Sequence, residues 1–439
     1  CSLNRFGLES CRENRCIPRA GIKINPFDYM SPVRIIAIIC TAQFFAQIGA
    51  FSVPALLPTF IDRWNLSGTE AGWIIGAFYA SYTLTVPILV SLTDRIDPKR
   101  IYLGAVLLTA IAALGYATLA DGFWSAFVFR LIAGIGWAGT YMPGLKALGD
   151  FVEGPQQSRG VAIHAGSVGV SGAASFIVTS IIASYFGWRW GIAFGGIGAV
   201  LAFLIMAFLL PSREPKAPGD AGQTRLLDFR PVLRNRSALA YSLGYCFHTW
   251  EMNALRTWVV TFLTFTLATN GGSTTLLAPA AIATVLSLAG VWSSLFGNEI
   301  SRQIGRQRFI IYVMIASMAV AGVIGFTSSV SYELAAGLCV VYGILIWADS
   351  SSLTAGTVGS AMVGQRGATM AVHSTLGYAG GFVGPLVMGA ILDLAGGESA
   401  FAWGIAFAHV SAADGGVSAR ACVSVCMSVK MWACMRERR

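Results

Sequence analysis

The chain has 439 residues, 55% of them hydrophobic and 12% charged, with a mean hydropathy of +0.65. A soluble domain carries about 25% charged residues, so this chain has too little polar surface to cover a water-soluble globule. The formal net charge of +9 does not point to nucleic acid, since no basic patch is interleaved with exposed aromatics. The basic residues sit in loops between apolar runs, as in membrane proteins.

Residues 1–29 are polar, begin with Cys and lack the apolar core of a signal peptide. They are expected to be a non-native or disordered extension, with Met30 as the natural start. Apolar runs long enough to cross a hydrocarbon core of ~30 Å as helices follow at 34–60, 71–92, 101–120, 123–149, 160–186 and 190–210. A polar break at 211–236 holds Pro211, Pro215, Pro218 and the cations Arg213, Lys216, Arg225, Arg230, Arg234 and Arg236, and reads as a linker between two bundles. Runs resume at 238–267, 275–296, 309–328, 333–354 and 368–394. A twelfth starts near Glu398 and loses its character after Val410, about 13 residues or ~20 Å of helix; residues 411–439 read as an aberrant or disordered tail. The runs are continuous, not alternating, which excludes a β-barrel. The expected fold class is an all-α polytopic membrane protein: twelve transmembrane helices in two six-helix bundles, 30–210 and 237–410, the last helix incomplete.

Loop charges give the orientation. One side holds Arg95, Lys99, Arg100, Arg159, the central cluster, Arg302, Arg306, Arg308 and Arg366; the other holds Arg63 and Arg189. The basic side is therefore expected to be cytoplasmic, with both termini inside and the protein in the plasma (inner) membrane. The halves also repeat at an offset of 207, which carries Asp94-Arg95 onto Ser301-Arg302, Lys99 onto Arg306, and Arg159-Gly160 onto Arg366-Gly367. Six spans duplicated in parallel is the construction of transporters that rock about a central site.

The loop Ser91–Arg100 resembles the signature between the second and third helices of the major facilitator superfamily, Gly-x-Leu-x-Asp-Arg-x-Gly-Arg/Lys-Arg/Lys. Leu92, Asp94, Arg95 and Lys99 match; Val90 and Asp97 replace glycines, and Pro98 replaces a cation. The stretch Gly297–Arg306 is similar to a second copy with Ser301 for Asp. Arg130–Gly136 resembles the family's fourth-helix pattern, and Gly187-Trp188-Arg189-Trp190 its link between the fifth and sixth helices. The resemblance implies alternating access, with spans one, four, seven and ten lining the pore. It also implies a cytoplasmic gate of Asp94, Arg95, Lys99, Arg100, Arg302 and Arg306. In that gate Asp94 meets a helix end of the other bundle, and Arg95 and Arg100 meet carboxylates such as Asp150. The alternative is that these cations only set topology.

Ionisable residues inside spans are costly and usually functional. Gln43 and Gln47 are four apart on the first span; Arg130 lies on the fourth; His248, Glu251 and Arg256 on the seventh; Asp349 on the tenth. These are the expected substrate and proton pathway, with Glu251 as leading proton carrier and Arg256 as its partner; structural pairing is the alternative. His164 and His373 read as packed polar residues. Gly134-x-Gly136-x-x-Gly139 matches a dinucleotide pattern formally but follows no strand; small residues for close helix approach explain it. No Cys/His metal spacing and no hydrolytic triad is present, so no cofactor, metal or enzymatic activity is expected. The expected function is secondary active transport of a small solute, with a small anion leading because Arg130 and Arg256 lie in opposite halves, driven by protons. The alternative of the same fold is a multidrug or metabolite exporter, favoured by an aromatic and acidic pore. An alternative of another class is a non-transporting membrane sensor or assembly factor. The expected partners are the solute, protons and the lipid bilayer, with the chain a monomer and no nucleic acid bound.

Overall fold

The computed structural model describes residues 30–93, 95–212, 229–271, 278–362 and 365–412, and the side chains of all of them but Ser158 and Arg366. The expected extension 1–29, most of the linker, nearly all of the tail and the gate residue Asp94 lie outside the described residues. Among the described residues every regular element is helical. Nine helices among the described residues are long and apolar enough to cross a membrane.

The first span, 32–64, is built from three pieces, Pro32–Gln47, Ser52–Ala55 and Leu57–Trp64. The second is Gly68–Leu92, the third Pro98–Leu119, the fourth Phe123–Phe151, the fifth Pro155–Phe186 and the sixth Trp188–Leu209. The seventh, Arg236–Thr269, is long enough, but His248, Glu251, Asn253 and Arg256 dilute its apolar character. The eighth is Pro279–Ile304, the ninth Arg306–Ser329, the tenth Tyr332–Ser360 and the eleventh Arg366–Leu394. A short apolar helix, Ala400–Ala412, follows. Adding 207 to Phe123–Phe151 gives 330–358, against Tyr332–Ser360 observed, so the repeat holds in the helix boundaries as well as in the charges.

Local sequence explains the helix ends. Ser67 and Glu70 form a reciprocal capping box at the start of the second span, with Ser67 N donating to Glu70 Oε2 at 2.9 Å and Glu70 N donating to Ser67 Oγ at 3.1 Å. Asp97 accepts from Lys99 N at 2.9 Å and Pro98 occupies the first helical turn of the third span. Two departures from the family's loop pattern are thus the start signal of a helix. Lipid-facing apolar side chains remain exposed along the spans, Leu84 at 75% and Ile88 at 65% among them. Trp124, Tyr185, Phe186 and Trp190 stand exposed near helix ends on the face opposite the basic loops, the position of an interfacial aromatic belt.

The two halves meet mainly toward that opposite face. One large core cluster runs through both, joining Phe51, Leu57, Phe60 and Ile75 to Leu255, Trp258, Phe262 and Trp403. Toward the basic face the larger clusters belong to one half each, Ile39, Tyr102, Leu148 and Met206 to one and Ile310, Met314 and Leu353 to the other; a small cluster of Tyr82, Val86 and Ala138 still has Tyr378 of the second half packed against it. Glycines make the close crossing of the second and eleventh spans. A Cβ at Gly72 would lie 2.8 Å from Pro385 O, and one at Gly389 would lie 2.0 Å from Gly68 O. At the end of this seam Asp393, from the eleventh span, accepts from Gly68 N (2.7 Å), Thr69 N (2.7 Å) and Thr69 Oγ1 (2.5 Å). A carboxylate of one half thereby caps a helix N-terminus of the other, where the exposed N–H groups and helix dipole favour negative charge.

Asp393→Asn keeps the side-chain volume and removes the charge, a loss of about 1 kcal/mol at a helix N-terminus. A cysteine introduced at the buried position 71 (Ala71→Cys) is expected to react severalfold faster with a membrane-impermeant maleimide when Asp393→Asn is also present.

Candidate functional site

Three spans are interrupted near their middles. The first breaks at 48–51, between Gln47 and Ser52. The fourth breaks at 139–140, between Ala138 and Tyr141, and the tenth breaks at Asp349, between Ala348 and Ser350. A broken helix inside a bilayer frees backbone groups that must be satisfied within the protein. In the first span the fifth supplies partners: Phe51 N donates to Ser175 Oγ at 3.0 Å, and the hydroxyls of Ser52 and Thr179 are 2.7 Å apart. Broken helices at mid-depth mark binding sites in transporters, and the polar residues gather around these breaks.

In the first half Gln43 is fully buried, and its amide atoms have no hydrogen-bond partner. Its Oε1, the His164 ring and Tyr102 crowd the same space beside Gly144. His164 lies 5.3 Å from the Tyr141 ring. Gln47 and Arg130 line a cavity of about 60 Å³. The Arg130 Nε donates to Ile74 O at 3.3 Å, and its guanidinium lies 4.3 Å over the Phe78 ring.

In the second half the structure brings His248 and Asp349 together, one turn-face of the seventh span against the break in the tenth. His248 Nδ1 is 2.9 Å from Asp349 Oδ1, with both side chains buried. The two atoms are not aligned as a hydrogen bond, so the contact is one of charge and proximity. Tyr245 stacks between the His248 ring (5.3 Å) and the His373 ring (4.1 Å). His373 is held by the hydroxyls of Thr354 (3.3 Å) and Thr357 (3.0 Å). Glu251 faces the ninth span, where Ser317 donates to it. Arg256 is not set against a carboxylate: its guanidinium is held between the Phe51 ring (4.7 Å) of the other half and the Trp347 ring (4.5 Å). Both guanidiniums lie within electrostatic range of the Tyr79 hydroxyl.

Tyrosines wall the junction between the halves. The Tyr82 and Tyr378 rings are 3.8 Å apart, and Tyr79 lies 6.4 Å from Tyr378. None of these tyrosines stood out in the sequence; aromatic residues are common in apolar helices, and their faces are fixed by packing. The spacing of Tyr79 and Tyr82, three apart on one helix face, was the available signal.

The described residues of the expected cytoplasmic gate lie on the basic face. Lys99 is buried, and its Nζ donates to Ala207 O at 2.9 Å and to Leu210 O, tying the third span to the last carbonyls of the sixth within one half. Asp150 pairs with Lys146 at 3.0 Å. Arg302 pairs with Glu299 at 3.1 Å on its own helix. Arg95 and Arg100 are exposed, and Arg306 begins the ninth span.

A model of the Major Facilitator Superfamily matches residues 39–385. The chain is 24% identical over 248 residues to protein spinster homolog 3 of Danio rerio, a match covering 54% of this chain and 49% of that protein. The matches span about half the length of the first curated relatives. Among solved structures, a bacterial homolog to the human lysosomal transporter Spinster, inward-facing and occupied, superposes with a TM-score of 0.69 at 16% identity, covering 92% of this chain and 97% of that one. The nucleoside transporter NupG superposes with a TM-score of 0.71 at 13% identity, covering 89% and 99%. These likenesses are of fold.

Phe51 is 5% exposed, bridges the two halves and shields Arg256. Phe51→Ala is expected to cost ~3–5 kcal/mol, as large core truncations do. Leu84→Ala at an exposed lipid-facing position should cost little. Thermal unfolding of the two variants in detergent compares them.

Proposed function

We propose a transport cycle for this chain, which belongs to the Major Facilitator Superfamily. It is a multi-pass membrane protein that moves a small organic anion by alternating access, coupled to protons. The solute site is the tyrosine-walled junction between the halves, at the depth of the three helix breaks. The observation that carries this reading is the convergence at that depth of Arg256, Tyr79, His248 and Asp349, from spans of both halves.

The anionic group of the solute is assigned to Arg256. Its Nε has no hydrogen-bond partner, and among the described residues no carboxylate lies within ion-pair distance of it. The aromatic faces that hold it supply some cation–π attraction but no counter-charge. The proton is assigned to the His248–Asp349 pair. With the imidazole neutral and the carboxylate ionised, the buried pair is one charge short of neutrality; one proton converts it to an ion pair. Glu251, held by Ser317, is a second protonatable group on the same helix. Closure toward the opposite face and larger clusters confined to one half each toward the basic face support an inward-open state in this structure, with the basic loops cytoplasmic and both termini inside. The cations Arg95, Arg100, Arg302 and Arg306, with Asp94, are assigned to the face that closes in the other half of the cycle, while Lys99 braces the third span against the sixth beneath it.

The tyrosine wall also favours a second reading, export of planar organic compounds that stack on Tyr82 and Tyr378. The two readings differ in whether charge or ring structure decides affinity.

In proteoliposomes, addition of a transported anion is expected to drive proton movement in the wild type. Asp349→Asn should reduce it at least tenfold while insertion stays normal. Undiminished proton movement in both Asp349→Asn and Glu251→Gln would remove the coupling assignment.

A further inference from the structure

The cavity beside Arg130 lies wholly inside the first half. It is lined by the first, second, third, fourth and sixth spans, and no residue of the second half contributes to it. Its volume is about 60 Å³, several times the ~10–15 Å³ that a single water needs.

Its polar lining includes several donors without a partner, beside the Ser52 hydroxyl, which is shared with Thr179. Gln47 Nε2, Tyr116 Oη and Trp137 Nε1 are buried with no hydrogen-bond partner. Gln47 and Tyr116 are each 2% exposed and Arg130 is 5% exposed. The hydroxyl of Thr109, also in the lining, is already donated to Ala105 O. No carboxylate lines the cavity. Among the described residues none lies within ion-pair distance of Arg130 either. Arg130 has a backbone carbonyl at its Nε and a ring face beneath it, neither of which supplies a full negative charge. A buried guanidinium without a counter-charge is costly, and so is each buried donor without an acceptor.

One occupant answers all four groups. We infer that this cavity is a binding site for a small monovalent anion of halide to formate size, resident within the first half. Arg130 provides the charge, and Gln47, Tyr116 and Trp137 provide converging donors. Charge-assisted hydrogen bonds of this kind are stronger than neutral ones. The remaining lining is largely apolar, with Ala112, Ala113 and Ala133 beside the Phe78 and Phe129 rings, and it adds no second charge. Occupancy neutralises Arg130 and leaves Arg256 as the uncompensated cation of the junction. The inference stands on the cavity alone and does not depend on the solute assigned above.

Ligand binding to the folded state raises its stability. The full chain in detergent is therefore melted at fixed pH and ionic strength in sodium bromide, sodium formate or sodium gluconate, with no solute added. Bromide and formate are expected to raise the midpoint relative to gluconate, a bulky polyhydroxy anion that cannot place a compact charge among the four groups. Tyr116→Phe preserves the ring and removes one donor; it should require about tenfold more bromide for the same rise. Bromide-containing crystals should show anomalous density between Arg130 and Tyr116. Equal midpoints in the three salts would overturn the inference. So would a salt difference unchanged by Tyr116→Phe, which reports a bulk salt effect, or density for ordered water only.

Discussion

Two guanidiniums in the interior of a membrane bundle set the terms for the rest of this structure. Arg130 and Arg256 are held by ring faces and, for Arg130, by a carbonyl. An ionised group in so apolar a setting is tolerated where it faces a cavity or meets a partner that comes and goes. The breaks in the first and tenth spans flank Arg256 through Phe51 and Trp347, and Tyr79, Tyr245 and Tyr378 lie within its electrostatic range. The seam between the halves is shaped to the same end. Phe51 crosses from one half to cover Arg256 in the other, so the junction between the halves also buries a charge.

The fold was largely legible in the chain because the bilayer leaves few choices. A continuous apolar run of about 20 residues has to be a helix, and Ser67, Asp97 and Pro98 announce their helices in the expected way. Less legible were the places where helices break. Asp349 looked like a charge within a span, and only the three-dimensional course shows it at an interruption. The contact of Asp393 with Gly68 and Thr69 joins residues more than three hundred positions apart, and no local pattern signals it.

The candidate site was legible in its residue types and not in its partnerships. Charge inside a span is expensive, so Arg130, His248, Glu251, Arg256 and Asp349 stand out without a structure. Which of them meet depends on rotation of each helix about its axis, which a mixed apolar sequence does not fix. Glu251 therefore faces Ser317 in place of Arg256, and His248 finds Asp349. Lys99 matched a loop signature, yet it is buried against the end of the sixth span. The same lysine serves helix capping within one half, a use that its sequence context also permits.

The central claim is that the two halves exchange access to one buried polar site. It is tested most directly by two distances measured by pulsed electron spin resonance on the reconstituted protein, with reactive native cysteines replaced. One label pair, at positions 124 and 401, spans the halves on the face opposite the basic loops; the other, at 95 and 302, spans them on the basic face. All four side chains are exposed. Between acidic and alkaline buffer, the account predicts that one distance lengthens while the other shortens. Distances that both stay fixed, or that change in the same direction, would contradict it.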